Sequence, residues 1–267
     1  MSHELSRRAL IKGGAAAGLL ATAGALVGCG NRPNKAPATV AESKHAWEVI
    51  PDSITDIASV EDFDIVVVGA GIAGVIAAQS AAEAGAKVVL VEKTDSISAR
   101  GHDIGAVNTK AHKAEGIVIN PAQVRDDYAQ LTGNKTDMNL FNIWLEHSGE
   151  CVDYYIDMMD ERGVPHIIAP VNEAILAQTS PCLKQYMTGI DFIDQPGKQK
   201  TDDGENINHR FVRLIFEYGL KLGVDARFNT KAEQLIREGS GPVTGVIVST
   251  EDGQHIQLNA SKGVILA

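Results

Sequence analysis

The chain has 267 residues, is 44% hydrophobic and carries a formal net charge of −10. Such an acidic balance speaks against nucleic acid as a partner, because phosphate binding rests on clustered Lys and Arg. The three cysteines form no C-x-x-C, so neither a zinc ribbon nor a c-type haem is encoded.

The N-terminus reads as an address rather than as part of a fold. Ser6-Arg7-Arg8-Ala9-Leu10-Ile11-Lys12 sets a twin arginine ahead of apolar residues, and an Ala/Gly-rich run from Gly13 to Gly28 follows. A membrane span needs about 20 mostly apolar residues, and this run falls short of that. Residues 1–29 instead match a cleaved signal, and the twin arginine resembles the Tat type. Leu26-Val27-Gly28-Cys29 ends the run and resembles a lipobox, which would place a lipid on Cys29; the other reading is a cysteine in a signal cleaved elsewhere. The expectation is an exported protein in the periplasm or at the outer face of the cell membrane, held to that surface if Cys29 is lipidated. Residues 30–60, with Pro33, Pro37 and Pro51 and little periodicity, read as a tether, and 61–267 as one domain.

The domain opens with Phe63-Asp64-Ile65-Val66-Val67-Val68, a short β-branched run expected of a buried parallel strand. It leads straight into Gly69-Ala70-Gly71-Ile72-Ala73-Gly74, then an Ala-rich helical stretch to Ala84, a stop at Gly85, and a second strand, Lys87 to Val91, ending at Glu92. In such a strand–turn–helix unit Gly69 permits the tight turn. Gly71 lets a pyrophosphate approach the backbone, and Gly74 lets helix and strand pack closely. The phosphates meet free N–H groups at the helix start, and the acid after the second strand accepts hydrogen bonds from ribose hydroxyls.

The unit serves NAD and FAD alike, so the choice rests on later elements. Leu140 to Met159 has an amphipathic stripe of Phe141, Trp144, Leu145, Ser148, Val152 and Tyr155. Asn206 to Leu222 is a second amphipathic helix, stopped by Gly223, and a strand at Asp225 to Asn229 follows. Three alternating segments come next, Ala232 to Arg237, Val243 to Thr250 and His255 to Leu258, with turn signals between them. A final apolar run, Gly263 to Leu266, reads as another buried strand. An antiparallel meander inserted into a parallel sheet favours a flavin domain over an NAD-dependent dehydrogenase. The fold class is α/β, a Rossmann-like parallel sheet with an antiparallel β-meander.

The run Asp64 to Gly74 with Glu92-Lys93 resembles the start of the fumarate reductase/succinate dehydrogenase flavoprotein family. The loop Ala99-Arg100-Gly101-His102-Asp103-Ile104-Gly105-Ala106-Val107-Asn108 is similar to that family's flavin-contacting loop, and Thr230-Lys231-Ala232 to its adenine-contacting T-x-A element. The resemblance implies FAD contacts at Ala73, Glu92, Arg100, Gly101, Gly105, Ala106 and Ala232. It also implies hydride transfer from reduced flavin to an activated C=C bond of a small unsaturated substrate, fed by an electron donor that the sequence does not identify. Two departures stand out: Ala106 replaces the second glycine of the loop pair, and Arg100 stands where a small or amide residue is common. Where some members attach FAD through a histidine six residues before that pair, this chain has Ala99, so FAD is expected to be non-covalent.

The remaining candidates are read as ordinary residues. His102 beside Asp103 is taken as a loop histidine bonding backbone or ribityl groups rather than as a proton donor. His147 and Cys151 have metal-ligand spacing on a helix, but without a third ligand no metal is expected. The sequence ends at Ile265-Leu266-Ala267, inside the strand that in this family precedes the substrate-capping part. The family's proton-donating arginine and substrate-gripping residues belong to that later part, so no catalytic residue is assigned. The expectation is a C-terminally truncated or split chain, and a non-catalytic flavin-binding fragment is the competing reading.

Overall fold

The computed structural model describes residues 52–99, 103–171, 185–195, 198 and 200–267. The signal, Cys29, Arg100, Gly101, His102 and Cys182 lie outside these residues. In chain order the strands are β1 (Ile57–Val68), β2 (Val88–Val91), β3 (Ile104–Gly105), β4 (Ile167–Ile168), β5 (Gly189–Asp191), β6 (Asp225–Arg227), β7 (Lys231–Arg237), β8 (Val243–Ser249) and β9 (His255–Leu266). The helices are α1 (Ile72–Glu83), α2 (Lys110–Ala114), α3 (Pro121–Leu131), α4 (Met138–Asp160) and α5 (Ile207–Lys221).

Six strands form the main sheet in the order β6-β2-β1-β9-β8-β7. The first four run parallel, and the β9-β8-β7 meander is antiparallel. Val66, Val67 and the whole of β2 are at most 1% exposed, as expected of strands covered on both faces. One cluster, including Val67, Val75, Leu90, Ile156 and Phe211, joins the sheet to the helices, and a second joins Val66, Val89 and Val91 to Val246, Val248 and Leu258 of the meander. Helices thus cover one face of the parallel strands and the meander curls over the other.

Two strands depart from the expected bounds. β1 begins at Ile57, inside the stretch read as tether, because residues 57–62 find partners in the first half of β9. The segment is stitched down further by Glu61, whose carboxylate takes two hydrogen bonds from Arg227 at 2.6 and 3.0 Å. The meander's third segment and the last apolar run are not two strands but one. Between the pairs Phe63↔Ala260 and Ile65↔Gly263, β9 holds one residue more than β1, which is a bulge. Ser261 Oγ donates to Asp64 there, and Gly263 takes φ +142, so polar residues that look like a turn continue the strand.

The long crossover from β2 to β6 holds the small sheet β3-β5-β4 and helices α2 to α5. The helix at Pro121 was not expected from the sequence. Asn120 caps it by accepting from Ala122 and Gln123 N–H, and Pro121 sits in the first turn, where its missing N–H costs nothing. Phe211 of α5 anchors the insertion: it stacks on Phe192 at 4.5 Å and meets Tyr155 of α4 edge-on at 5.8 Å. Burying one such ring contributes about 2–3 kcal/mol.

Candidate functional site

The site is built where β1, β2 and β9 end. Gly69 has φ +102, a conformation that L side chains rarely adopt, and a Cβ there would meet Ala267 O at 2.4 Å. At Gly74 a Cβ would lie 1.9 Å from Gly69 O, so only glycine lets α1 sit this close to the strand. Gly71 is different. Its φ is −73, and a Cβ would meet nothing nearer than Ser98 O at 3.8 Å. Packing demands Gly69 and Gly74; only space for something outside the chain demands Gly71.

The start of α1 is also unlike the other helix starts. α2, α3, α4 and α5 carry side-chain caps from Thr109, Asn120, Asp137 and Asn206, while α1 has no side-chain cap. The first intrahelical bond runs from Val75 N–H to Gly71 O, 2.9 Å. The amides of residues 71–74 therefore point out of the helix start without intrahelical acceptors, at the positive end of its dipole. Ala73 is exposed within this turn and Gly74 is buried. Bare amides and an open glycine fit the pyrophosphate of a dinucleotide.

Glu92 stands at the end of β2. Its Oε2 accepts from Ala70 N–H at 2.8 Å, and its Oε1 accepts from Thr94 N–H and Oγ–H, both at 2.9 Å. Burial pushes its pKa up, but these N–H bonds outweigh it and hold the carboxyl below its ordinary value. A carboxylate offers about four acceptor positions, so one remains for a ribose hydroxyl. Ser98 N–H donates to Ala70 O, and Thr230 N–H to Glu92 O. The turn, the β2 end and the Thr230–Ala232 element are thus tied together. Ala232 is half-buried at the start of β7, opposite Val248.

The loop through Gly105 and Ala106 lies on the small sheet. Ala106 is fully buried and its N–H donates to Thr188 O at 2.8 Å, so it anchors the loop to the small sheet. Gly105 is exposed, and a Cβ there would make only an ordinary contact with the Trp144 ring at 3.6 Å. Ala106 shares one core cluster with Ala70 and Val75 of the glycine turn. Arg100 and Gly101 lie outside the described residues.

Sequence reasoning missed what holds this loop in place. Trp144 Nε1–H donates to Gly105 O at 3.1 Å, and Ser148 Oγ accepts from Val107 N–H at 3.1 Å. Asp153 accepts from Lys110 N–H at 2.7 Å. Gly149 completes the fit, since a Cβ there would meet Val107 O at 2.4 Å. All four lie on α4, which acts as a splint along the loop. The one readable signal was Ser148, a polar residue inside an otherwise apolar stripe. The other candidates have local partners: His147 meets Glu150 at 3.0 Å, His166 meets Asp160 at 3.1 Å, and Cys151 is exposed.

A family model described as an FAD binding domain matches residues 64–267. A fumarate reductase (cytochrome) of Shewanella frigidimarina is 26% identical over 69% of this chain and 29% of that protein. A vinyl phenol reductase of Lactiplantibacillus plantarum is 26% identical over 79% of this chain and 38% of its own length. A urocanate reductase of Eggerthella lenta is 28% identical over 77% of this chain and 31% of its own. The chain thus spans 29% to 38% of the length of these curated relatives. Among solved structures, the 3-ketosteroid-Δ4-(5α)-dehydrogenase from Rhodococcus jostii RHA1 superposes with a TM-score of 0.62 at 23% identity, covering 80% of this chain and 47% of that one, so the fold is shared. The open glycine, the uncapped helix and the fixed acid agree with that match: the chain belongs to the FAD binding domain family, and FAD is its cofactor.

Proposed function

We propose that this chain is the FAD-holding part of an oxidoreductase that reduces an activated C=C bond. The observation that carries the reading is the clearance at Gly71 beside the bare amides of α1, with Glu92 fixed at the neighbouring strand end. Bound FAD supplies the redox chemistry, passing a hydride when reduced. The chain's own residues do the holding. The α1 amides take the pyrophosphate and Glu92 the ribose, the segment ending at Ala232 borders the adenine, and the backbone around Gly105 lies along the ring system. No histidine stands at position 99, which supports non-covalent FAD.

The relatives' names, reductases of fumarate, vinyl phenol and urocanate, support an unsaturated acid or conjugated alkene as substrate. The test is anaerobic: the flavin-loaded chain is reduced, and each of these three compounds is added in turn. Reoxidation of bound flavin by one of them supports the reading. Flavin that stays reduced with all three, yet reoxidises in air, would favour a non-catalytic flavin-binding chain.

Residues 1–29 are proposed to be a twin-arginine export signal, with Cys29 as the lipidated residue. Replacing Arg7 and Arg8 together with lysine should leave the protein inside the cell. Cys29→Ala should release it from the membrane fraction without blocking export. Export unaffected by the double lysine change would contradict the assignment.

A further inference from the structure

Among the described residues, six polar side chains are buried: Gln79, Thr109, His112, Ser148, Asp191 and Thr230. Three of them, Thr109, His112 and Ser148, lie beneath the loop that carries Gly105 and Ala106. Burying a polar group costs free energy unless it is bonded, so such a concentration calls for a reason. Ser148 belongs to the α4 splint. His112 belongs to a separate circuit.

The His112 ring is 0% exposed and bonded at both nitrogens. Thr109 N–H donates to Nδ1 at 3.1 Å, and the Thr109 hydroxyl lies 2.7 Å from the same nitrogen. That hydroxyl accepts from His112 N–H at 3.3 Å, so its own hydrogen points to Nδ1. Nδ1 is therefore an acceptor, and the ring hydrogen sits on Nε2, which donates to Met187 O at 2.6 Å. The next residue, Thr188, accepts from Ala106 N–H, and Gly189 pairs with Gly105 in the small sheet. The circuit Ala106–Thr109–His112–Met187–Thr188–Ala106 closes on itself. The imidazole holds the Thr109 end of the loop directly and the Ala106 end through Met187 and its neighbour Thr188.

We propose that His112, as its Nε2–H tautomer, is a positioning residue for the cofactor: it latches Met187 and thereby sets the height of the Gly105–Ala106 backbone against the flavin. The proposal rests on the FAD reading of that loop. His112→Leu removes all three ring hydrogen bonds. His112→Gln keeps an amide N–H long enough for Met187 O together with an acceptor oxygen, whereas His112→Asn offers an acceptor but is too short to reach Met187.

The test uses the full chain and two readouts. The first is amide exchange without FAD. His112→Leu should speed exchange at Ala106 by about tenfold, the loss of about one buried hydrogen bond, while Val89 in the central sheet stays unchanged. The second is FAD titration with visible circular dichroism of the bound flavin. His112→Leu should weaken FAD about tenfold and alter the flavin signal, and His112→Gln should restore both. If His112→Leu does not fold, the Gln and Asn variants carry the same comparison, with Gln wild-type-like and Asn impaired. Unchanged exchange at Ala106, equal acceleration at Val89, or FAD affinity and flavin signal unaltered in a folded Leu variant would overturn the proposal. If the wild-type chain takes up no FAD, the flavin reading fails by itself, and exchange at Ala106 still decides whether the latch exists.

Discussion

Two glycines three residues apart make opposite predictions. Gly74→Ala forces a Cβ to within 1.9 Å of Gly69 O, so helix and strand must separate. Thermal unfolding should report a loss of about 1–3 kcal/mol, or no folding at all. Gly71→Ala meets only an ordinary contact at 3.8 Å, in a backbone conformation alanine adopts freely. Its stability should stay within about 0.5 kcal/mol of wild type, while FAD affinity falls at least about tenfold. A large stability loss in Gly71→Ala would mean that the glycine serves packing after all.

Glu205 gives a residue-scale prediction with a defined pH window. Hydrogen bonds from Arg213, at 2.9 and 3.0 Å, outweigh the cost of burial and, with His209, pull its pKa down to about 2. A depressed carboxyl pKa stabilises the fold above the ordinary value of 4.5 and loses that contribution as pH falls toward 2. Glu205→Gln should cost on the order of 1 kcal/mol near neutral pH, allowing for the half-exposed arginine. The gap from wild type should close on acidification to about pH 2. A gap of constant size down to that pH would show that the ion pair is not its source.

Among the elements, α4 is the splint on which the loop proposed to face the flavin depends. Trp144→Phe keeps most of the ring's packing and removes the N–H that holds Gly105 O. It should cost about 1 kcal/mol of stability or less, yet loosen bound FAD measurably in titration. Flavin affinity equal to wild type would place the loop's rigidity elsewhere. The three splint contacts join residues 39, 41 and 43 positions apart, which explains why they were not legible in the sequence: nothing local marks Trp144 or Asp153 as a partner of that loop. The glycine turn was legible because turn, helix start and acid all lie within one strand–helix–strand unit. The continuity of β9 was not, because Ser261 and Lys262 look like turn residues and only the partner Asp64 turns them into a bulge.

For the whole molecule, the α/β architecture and the meander follow from hydrophobic periodicity, and β6, β2 and β1 are parallel neighbours joined by crossovers, while β9 reaches β1 by way of the meander. The small sheet escaped notice because its strands are two or three residues long, too short to show a period. Stitching of residues 54–61 to the meander and to Arg227 also depends on distant partners, among them Gln234, which accepts from Ile54 N–H at 3.1 Å. All of these features converge on one claim, that the chain holds FAD without a covalent bond at the turn around Gly71. The direct measurement is the visible spectrum of the purified chain and of Gly71→Ala after incubation with FAD and desalting, followed by acid denaturation. The flavin spectrum should stay with the wild-type chain, be largely lost from the equally stable Gly71→Ala chain, and leave the polypeptide on denaturation. Flavin retained equally by both proteins, or remaining on the denatured chain, would contradict it.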